Sequence, residues 1–316
     1  MKIVVLDALT LGPGLDLTVL DGVGEAVIYD LTGPEEFADR VRDAEVIVTN
    51  KWKLNASNLG AAKNLKLICV TATGFDGIDV AYCRAHGIGV CNVPAYSTES
   101  VAQLTMTMAL YLAAHLGSYR DYVHSGAYCR SGVANLLTPV WQELAGKTWG
   151  IIGGGNIGRR VARLAEAFGC RVLICRRQPE AEFESADLDT LLSQSDVVSV
   201  HVPLTEQTRN LIGPAEIARM KDGVIFINVA RGAVCDEAAL AAAVECGKIG
   251  GLGVDVFSTE PFPSDHPFSR LGSFSNVCLT PHMAWSAVEA RNRCMQVVAE
   301  NIRAFAAGRM QNCVEQ

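Results

Sequence analysis

The chain has 316 residues, of which 49% are hydrophobic and 19% charged, and its formal net charge is −7. This length suits two domains, and the acidity disfavours nucleic acid or an anionic membrane as a partner bound through bulk charge. No apolar run reaches the roughly 18 residues of a membrane span, and residues 1–7 become acidic too early for a signal peptide.

The eleven cysteines are scattered, with no Cys-x-x-Cys pair and no Cys/His spacing of a zinc site, so no metal site is predicted. Several lie in apolar segments, among them Cys69, Cys91, Cys175 and Cys278. In a long chain without a secretory leader, this favours free buried thiols over disulfides. We therefore expect a reducing compartment, most simply the cytoplasm.

The first hundred residues alternate strand and helix patterns, which predicts a small α/β domain with a parallel sheet. The predicted strands are 2–6, 26–29, 45–49, 66–71 and 89–93, and the predicted helices are 34–44 and 79–86. Residues 101–123 then predict one long connecting helix, rich in Ala, Leu and Met.

A second alternating series begins at residue 148, and its six strands match a doubly wound nucleotide-binding domain. The predicted strands are 148–153, 171–176, 197–202, 224–229, 250–256 and 277–280, and the predicted helices are 157–168, 188–193, 214–220 and 236–246. A last helix, 286–307, has no strand after it. We expect it to return to the first domain, which gives domains of 1–99 with 286–316, and of 100–285.

A glycine-rich segment in the second series fits the G-x-G-x-x-G pattern of dinucleotide-binding domains. Its residues are Gly153, Gly154, Gly155, Asn156, Ile157 and Gly158. An apolar strand precedes it and an amphipathic helix follows, which is the context that distinguishes the pattern from an ordinary glycine turn. Except for Gly154, these residues are predicted to cradle a pyrophosphate at the helix N-terminus.

The end of the next strand bears on the choice of nicotinamide cofactor. An NAD site would place Asp or Glu there to bond the ribose, whereas this chain has Arg176 and Arg177. Two guanidinium groups suit a 2′-phosphate through charge-assisted hydrogen bonds. The sequence favours NADP(H), and NAD(H) is the alternative if both arginines face solvent.

Three chemically useful side chains follow predicted strands. Arg231 comes after 224–229, Glu260 after 250–256, and His282 after 277–280. Ligands of open parallel sheets bind outside the carboxyl ends of the strands, so a cation, a carboxylate and an imidazole are expected to converge.

With these motifs, the chain resembles the D-isomer-specific 2-hydroxyacid dehydrogenases over nearly its whole length. The matching segments are 153–158, 201–205, 228–232, 254–261 and 280–282. Segments 49–51, 92–98 and 101–103 look most like the glycerate dehydrogenase (hydroxypyruvate reductase) branch. The resemblance implies a Rossmann-type doubly wound domain and a smaller flavodoxin-like α/β substrate domain.

The resemblance also implies roles for the three strand-end residues in exchanging hydride between NAD(P)H and a small 2-keto acid. His282 would be the general acid in reduction and the base in oxidation. Glu260 would orient the imidazole and favour its charged form. Arg231 would polarise the keto oxygen and pair with the substrate carboxylate.

Further matched positions are implied to bind substrate or cofactor. The substrate carboxylate would be held by Thr73 and Gly74, with Lys51 nearby. Asp255 would bond the nicotinamide amide and Thr208 the pyrophosphate, and the remaining cofactor positions are Val202, Pro203 and Ala230. His201 is interpreted as structural, and His86, His115, His124 and His266 as residues without a role.

Two alternatives stay open at this point. One is a reductase of bulkier 2-keto acids, and the other is a cofactor-sensing binding protein related to dehydrogenase-like corepressors. Glu260 disfavours a formate dehydrogenase, because that branch carries Gln at this position. The apolar helix 101–123 and the resemblance together predict a homodimer through the region 101–140.

Overall fold

The computed structural model describes residues 1–178 and 182–314, and the chain forms two compact α/β units. The first unit is discontinuous and contains Met1–Ser97 and Trp285–Gln316. The second unit is the segment between them, Thr98–Ala284.

The first unit is built on five parallel strands in the order β2-β1-β3-β4-β5, which is the flavodoxin-like order. The strands are β1 (Lys2–Val5), β2 (Glu25–Ile28), β3 (Val46–Thr49), β4 (Leu67–Val70) and β5 (Gly89–Cys91). Every residue of β3 and β4 is buried, as expected for central strands of a parallel sheet covered on both faces.

Helices from both ends of the chain cover this first sheet. They are α1 (Pro34–Val41), α2 (Val80–Ala85) and the C-terminal α10 (Val288–Ala306). Met295, Val298 and Ile302 of α10 are fully buried in the same hydrophobic cluster as β1 and β3 residues. The C-terminal segment therefore completes a core that the first ninety-seven residues begin.

The second unit contains a seven-stranded parallel sheet in the order β12-β11-β10-β9-β6-β7-β8. Its strands are β6 (Thr148–Ile152), β7 (Arg171–Cys175), β8 (Glu184–Ser185), β9 (Val197–Val200), β10 (Val224–Asn228), β11 (Ile249–Val254) and β12 (Val277–Leu279). From β6 the successive strands are added first on one side, as β7 and β8, and then on the other, beginning with β9. Doubly wound sheets bind ligands at such a change in strand order, here between β6 and β9. All six predicted strands are present, and the short exposed β8 is an additional one.

The described residues of the second unit form seven α-helices, several of which pack on its sheet. They are α3 (Thr98–Ala113), α4 (Leu116–His124), α5 (Ala127–Ser131), α6 (Asn156–Ala167), α7 (Leu188–Gln194), α8 (Pro214–Arg219) and α9 (Glu237–Glu245). Within the described residues, no helix is both long and apolar enough to cross a membrane.

The prediction of a single helix over 101–123 is wrong. The helix ends at Ala113, and His115 adopts a left-handed conformation with φ of 50° before α4 begins. Gly117 in α4 is buried, and a Cβ there would lie 2.8 Å from the carbonyl oxygen of Ser275. The helix therefore bends where a tertiary contact requires it, at a place where Ala114 and His115 give no Gly or Pro signal.

Candidate active site

The glycine loop after β6 is shaped by two close backbone contacts. Gly153 has a φ of 107°, and a Cβ there would lie 2.7 Å from the carbonyl oxygen of His201. A Cβ on Gly158 would lie 1.9 Å from the carbonyl oxygen of Gly153. Side chains are therefore excluded at both positions, because α6 and β9 pack directly against the loop.

The N-terminus of α6 is suited to an anion. The N-cap, Gly155, supplies no side-chain hydrogen bond, and the first turn of the helix contains no acidic residue. Gly155 and Asn156 are exposed and Ile157 is half-buried. These residues fit the pyrophosphate of a dinucleotide, because unpaired amide groups and the helix dipole favour negative charge there.

The chain after β9 packs against the glycine loop. The Val202 side chain lies 2.9 Å from the place that a Cβ on Gly153 would occupy. The Thr208 hydroxyl donates to the Pro203 carbonyl at 2.6 Å and accepts from the Thr205 amide at 2.7 Å, which closes a turn.

His201 is the half-buried residue between β9 and this turn. Its Nε2 lies 2.9 Å from the Ser199 hydroxyl, which also accepts a hydrogen bond from the Trp149 indole. Burial lowers the pKa of His201 to about 3. The imidazole is therefore neutral near pH 7, which agrees with a structural interpretation and not with an acid–base role.

Arg176 and Arg177 lie directly after β7. Arg176 is half-buried over Gly154, where a Cβ would be 2.9 Å from Arg176 Cδ, whereas Arg177 is exposed. Gly154 of the fingerprint and the arginine that replaces the expected acid are therefore neighbours in space.

The turn that carries Arg231 is fixed by the buried Asn228 at the end of β10. The Asn228 amide accepts from the Ala230 N–H at 3.0 Å and donates to the Arg231 carbonyl at 3.0 Å. A Cβ on Gly232 would lie 2.0 Å from the carbonyl carbon of Phe257, so this turn packs onto the chain that leads to Glu260. The half-buried Arg231 guanidinium donates to the Ala230 carbonyl at 2.8 Å.

Glu260 and His282 form a direct pair. His282 Nδ1 lies 2.6 Å from Glu260 Oε2, and the side chains are 23% and 31% exposed, respectively. Glu260 Oε1 accepts from the Phe257 N–H at 2.9 Å. A carboxylate held in this way fixes the orientation of the imidazole while leaving the pair accessible.

A buried carboxylate shapes the segment around His282, whose φ is 52°. Asp255, fully buried after β11, accepts from the Thr280 hydroxyl at 2.5 Å and from the amides of Met283 and Ala284 at 2.9 and 2.8 Å. Burial raises the pKa of Asp255, and these hydrogen bonds oppose the rise. Asp255 thus holds the residues on both sides of His282 by hydrogen bonds. Its contact with a nicotinamide amide stays a prediction.

A second buried cluster was missed from the sequence. Glu237, at the start of α9, accepts hydrogen bonds from the backbone amide and the hydroxyl of Ser258, the former at 2.8 Å. Its Oε2 also lies 3.0 Å from His266 Nε2. The prediction that His266 lacks a role is wrong, because this buried imidazole helps to anchor the segment that contains Glu260. Local sequence gave no signal, since these partners are far apart in the chain.

Lys51 and Thr73 lie at the carboxyl ends of the neighbouring strands β3 and β4 of the first unit. The Lys51 amide donates to the buried Asp7 carboxylate at 2.6 Å. The Thr73 hydroxyl donates to the Val93 carbonyl at 2.8 Å. The side-chain amide of Asn92 donates to the Thr73 carbonyl at 2.7 Å. Gly74 follows in the same loop, so all three predicted substrate contacts share one edge of the first sheet.

In the part of the chain that the structure describes, no group of three or more His, Cys, Asp or Glu side chains could share a metal ion. The groups that the structure does bring together are the Glu260–His282 pair, the turn of Arg231 and, after β6, the glycine loop. Residues 106–284 match the family model described as D-isomer specific 2-hydroxyacid dehydrogenase, NAD binding domain. The chain belongs to the D-isomer specific 2-hydroxyacid dehydrogenases.

Individual proteins match all or most of the chain. It is 38% identical to a hydroxypyruvate reductase of Blautia hydrogenotrophica, with all of both chains covered. It is 39% identical to a glycerate dehydrogenase of Methylorubrum extorquens over 89% of each chain. The crystal structure of D-lactate dehydrogenase from Aquifex aeolicus, complexed with NAD and lactic acid, superposes with a TM-score of 0.85 at 33% identity, covering 98% of this chain and 96% of that one.

Proposed function

We propose that this dehydrogenase reduces hydroxypyruvate or glyoxylate, and in the reverse direction oxidises D-glycerate or glycolate. The observation that carries the chemistry is the 2.6 Å pair of His282 and Glu260, close to the turn of Arg231. The relatives named hydroxypyruvate reductase and glycerate dehydrogenase support the choice of substrate.

The three residues divide the work of carbonyl reduction. The bound nicotinamide supplies the hydride. His282, whose Nδ1 faces Glu260, would use its other ring nitrogen, Nε2, to give a proton to the keto oxygen and to take it back in oxidation. Arg231 polarises the keto oxygen and pairs with the carboxylate of the substrate.

We assign the substrate-binding role to the first unit and the cofactor-binding role to the second. In the first unit, Thr73 and Gly74 would hold the substrate carboxylate, with Lys51 at the same sheet edge. In the second, the glycine loop would hold the pyrophosphate, and contacts to the cofactor would also come from Val202, Pro203, Thr208, Ala230 and Asp255.

NADPH is the proposed preferred cofactor. The residues directly after β7 are Arg176 and Arg177 instead of an acid, and two guanidinium groups there would suit a ribose 2′-phosphate. The missing side chain of Gly154 leaves room for the Arg176 side chain beside the glycine loop. Both features favour a phosphorylated ribose over a free diol.

A substrate panel tests the proposed activity. Hydroxypyruvate, glyoxylate, pyruvate and phenylpyruvate are each incubated with NADPH and with NADH, and the loss of reduced nicotinamide is followed. The highest kcat/KM is expected for hydroxypyruvate or glyoxylate with NADPH. A higher value for phenylpyruvate would instead assign the enzyme to bulkier keto acids, and NADPH binding without turnover would support a cofactor-sensing protein.

We further propose a cytoplasmic homodimer formed through α3–α5 and the following segment. This part of the second unit exposes large apolar side chains to an extent unusual for a monomer. They include Leu116, Val123, Tyr128, Val133, Leu137, Val140 and Trp141, with Leu137 and Val140 each 73% exposed. Light scattering at micromolar concentration should give twice the chain mass of 33.8 kDa, and a monomer mass would refute the dimer.

A further inference from the structure

The C-terminal segment adds an antiparallel partner to the edge strand of the first sheet. The Asn92 amide donates to the Asn312 carbonyl at 3.1 Å, and the Val314 amide donates to the Val90 carbonyl at 3.0 Å. These two bonds flank Cys91 of β5 and Cys313, which lie directly opposite each other. Val314 is buried in the core on the other face of the strand, so the register is anchored.

The flanking bonds make Cys91 and Cys313 a non-hydrogen-bonded pair. In such pairs the Cα atoms are about 4.5 Å apart and the side chains approach more closely than in hydrogen-bonded pairs. This separation falls within the range that a disulfide spans, about 4.4–6.8 Å. The two cysteines face each other across this strand pair, so a disulfide between them requires no change of register.

The two thiols differ in access. Cys313 is exposed, whereas Cys91 is buried with 1% of its surface accessible. Burial and the neighbouring Cys313 raise the pKa of Cys91 to about 12. An oxidant from solution therefore meets Cys313 first, and Cys91 is the thiol that can then attack it from inside.

We propose that Cys91 and Cys313 form a reversible cross-strand disulfide when the protein meets a low-molecular-weight disulfide such as oxidised glutathione. The Cys313 thiolate attacks the oxidant, which forms a mixed disulfide and releases one glutathione thiol. Cys91 then gives up its proton and attacks the Cys313 sulfur, which displaces the second glutathione thiol. Two protein thiols are oxidised and one glutathione disulfide is reduced.

The bond would close a loop that contains the whole second unit, Thr98–Ala284. It would therefore connect covalently the two separate chain segments that build the first unit. Long closed loops restrict the unfolded chain strongly, so the oxidised protein is expected to unfold at a higher temperature than the reduced one. Cys69, opposite Cys91 on the other side, is fully buried in β4 and has no such access.

Peptide mapping without reduction tests the proposal. The full-length protein is equilibrated with oxidised glutathione, free thiols are alkylated under denaturing conditions, and the digest is analysed by mass spectrometry. A linked Cys91–Cys313 peptide that disappears with dithiothreitol is expected. C313S should lose the link, whereas C246S, which removes another exposed thiol, should keep it.

Two outcomes would overturn the proposal. One is a glutathione adduct on Cys313 with Cys91 still alkylated, and the other is a link of Cys91 to Cys69. Thermal unfolding gives an independent measurement. A rise in the midpoint on oxidation, reversed by dithiothreitol and missing in C313S, supports the disulfide. An unchanged wild-type midpoint contradicts a stabilising disulfide.

Discussion

Two places along the carboxyl edge of the second sheet carry charge in different ways. After β10–β12, Glu260 and His282 are paired at 2.6 Å, and the buried Asp255 and Glu237 hold the chain around them. After β7, by contrast, Arg176 is half-buried and Arg177 is exposed. We call the first region the catalytic edge (Arg231, Glu260, His282) and the second the arginine edge (Arg176, Arg177).

The difference fits the role that we propose for each edge. Proton transfer requires a fixed distance and orientation, which hydrogen bonds from buried residues provide. Recognition of a phosphate requires positive charge within reach, which guanidinium groups near the surface provide. Loss of the proposed proton donor should therefore have a large effect that is insensitive to salt, whereas the effect of the arginine edge on cofactor choice should be screened by salt.

The largest effect is expected from His282→Ala. Proton transfer by a placed side chain contributes about 10²–10⁴-fold, so kcat for keto-acid reduction should fall by that order. His86→Ala, at the exposed end of α2, is the matched control and should leave kcat unchanged. Near-wild-type turnover of His282→Ala would remove this residue from the mechanism.

Glu237→Gln tests whether the buried cluster supports the catalytic edge. A glutamine offers one acceptor oxygen, so its NH2 group would face the Ser258 or His266 donors and leave one of them unpaired. An unsatisfied buried donor costs about 1–3 kcal/mol. We expect a loss of that size in the free energy of unfolding, measured by urea denaturation.

The control for this change is Glu245→Gln, at the other end of α9, where the carboxylate forms an exposed ion pair with Arg270. Exposed ion pairs contribute little, so its stability should match that of wild type. Equal stabilities of the two variants would show that Glu237 is not a structural anchor.

Arg176→Asp tests the arginine edge. The wild type is expected to prefer NADPH over NADH by about one to two powers of ten in kcat/KM, and the preference should weaken as salt rises. The substitution removes an attraction and adds a repulsion, so it should turn the preference toward NADH. Arg309→Asp, an exposed position of the first unit, serves as the control. Equal kcat/KM for both cofactors in wild type would mean that the arginines face solvent.

The smallest effect is expected from Glu260→Gln, which keeps the size of the side chain but removes its charge. The carboxylate 2.6 Å away holds the imidazole of His282 in place through a hydrogen bond. A neutral amide makes a weaker hydrogen bond than a carboxylate, so kcat for reduction should fall, but less than in His282→Ala. A kcat equal to that of wild type and of the control Asp265→Asn would contradict the pairing.

Periodic features were predictable from the sequence. Buried parallel strands such as β3 and β10 are continuous apolar runs, and strand topology brings their carboxyl ends to one edge. The placement of Arg231, Glu260 and His282 after β10–β12 follows from the same rule. The glycine loop was predictable because Gly153 and Gly158 sit where any side chain would collide with backbone.

Other features depend on partners distant in the chain and leave no local pattern. The bend at His115, the pairing of Glu237 with His266, and the seating of Cys313 opposite Cys91 are set by tertiary contacts. β8 is two exposed residues long and has no hydrophobic alternation to reveal it. Secondary-structure propensity and hydrophobic periodicity are properties of a single segment, whereas these features depend on contacts between segments.

The discontinuous first unit has a consequence for protein synthesis. The side of its sheet that contacts α10 cannot be covered until Val288–Ala306 leaves the ribosome, and the whole second unit, Thr98–Ala284, is made before that. At about 5–20 residues per second, the delay is on the order of 10–40 s. During that time the nascent chain exposes an apolar surface. We therefore expect molecular chaperones to bind the N-terminal segment long after it has left the ribosome.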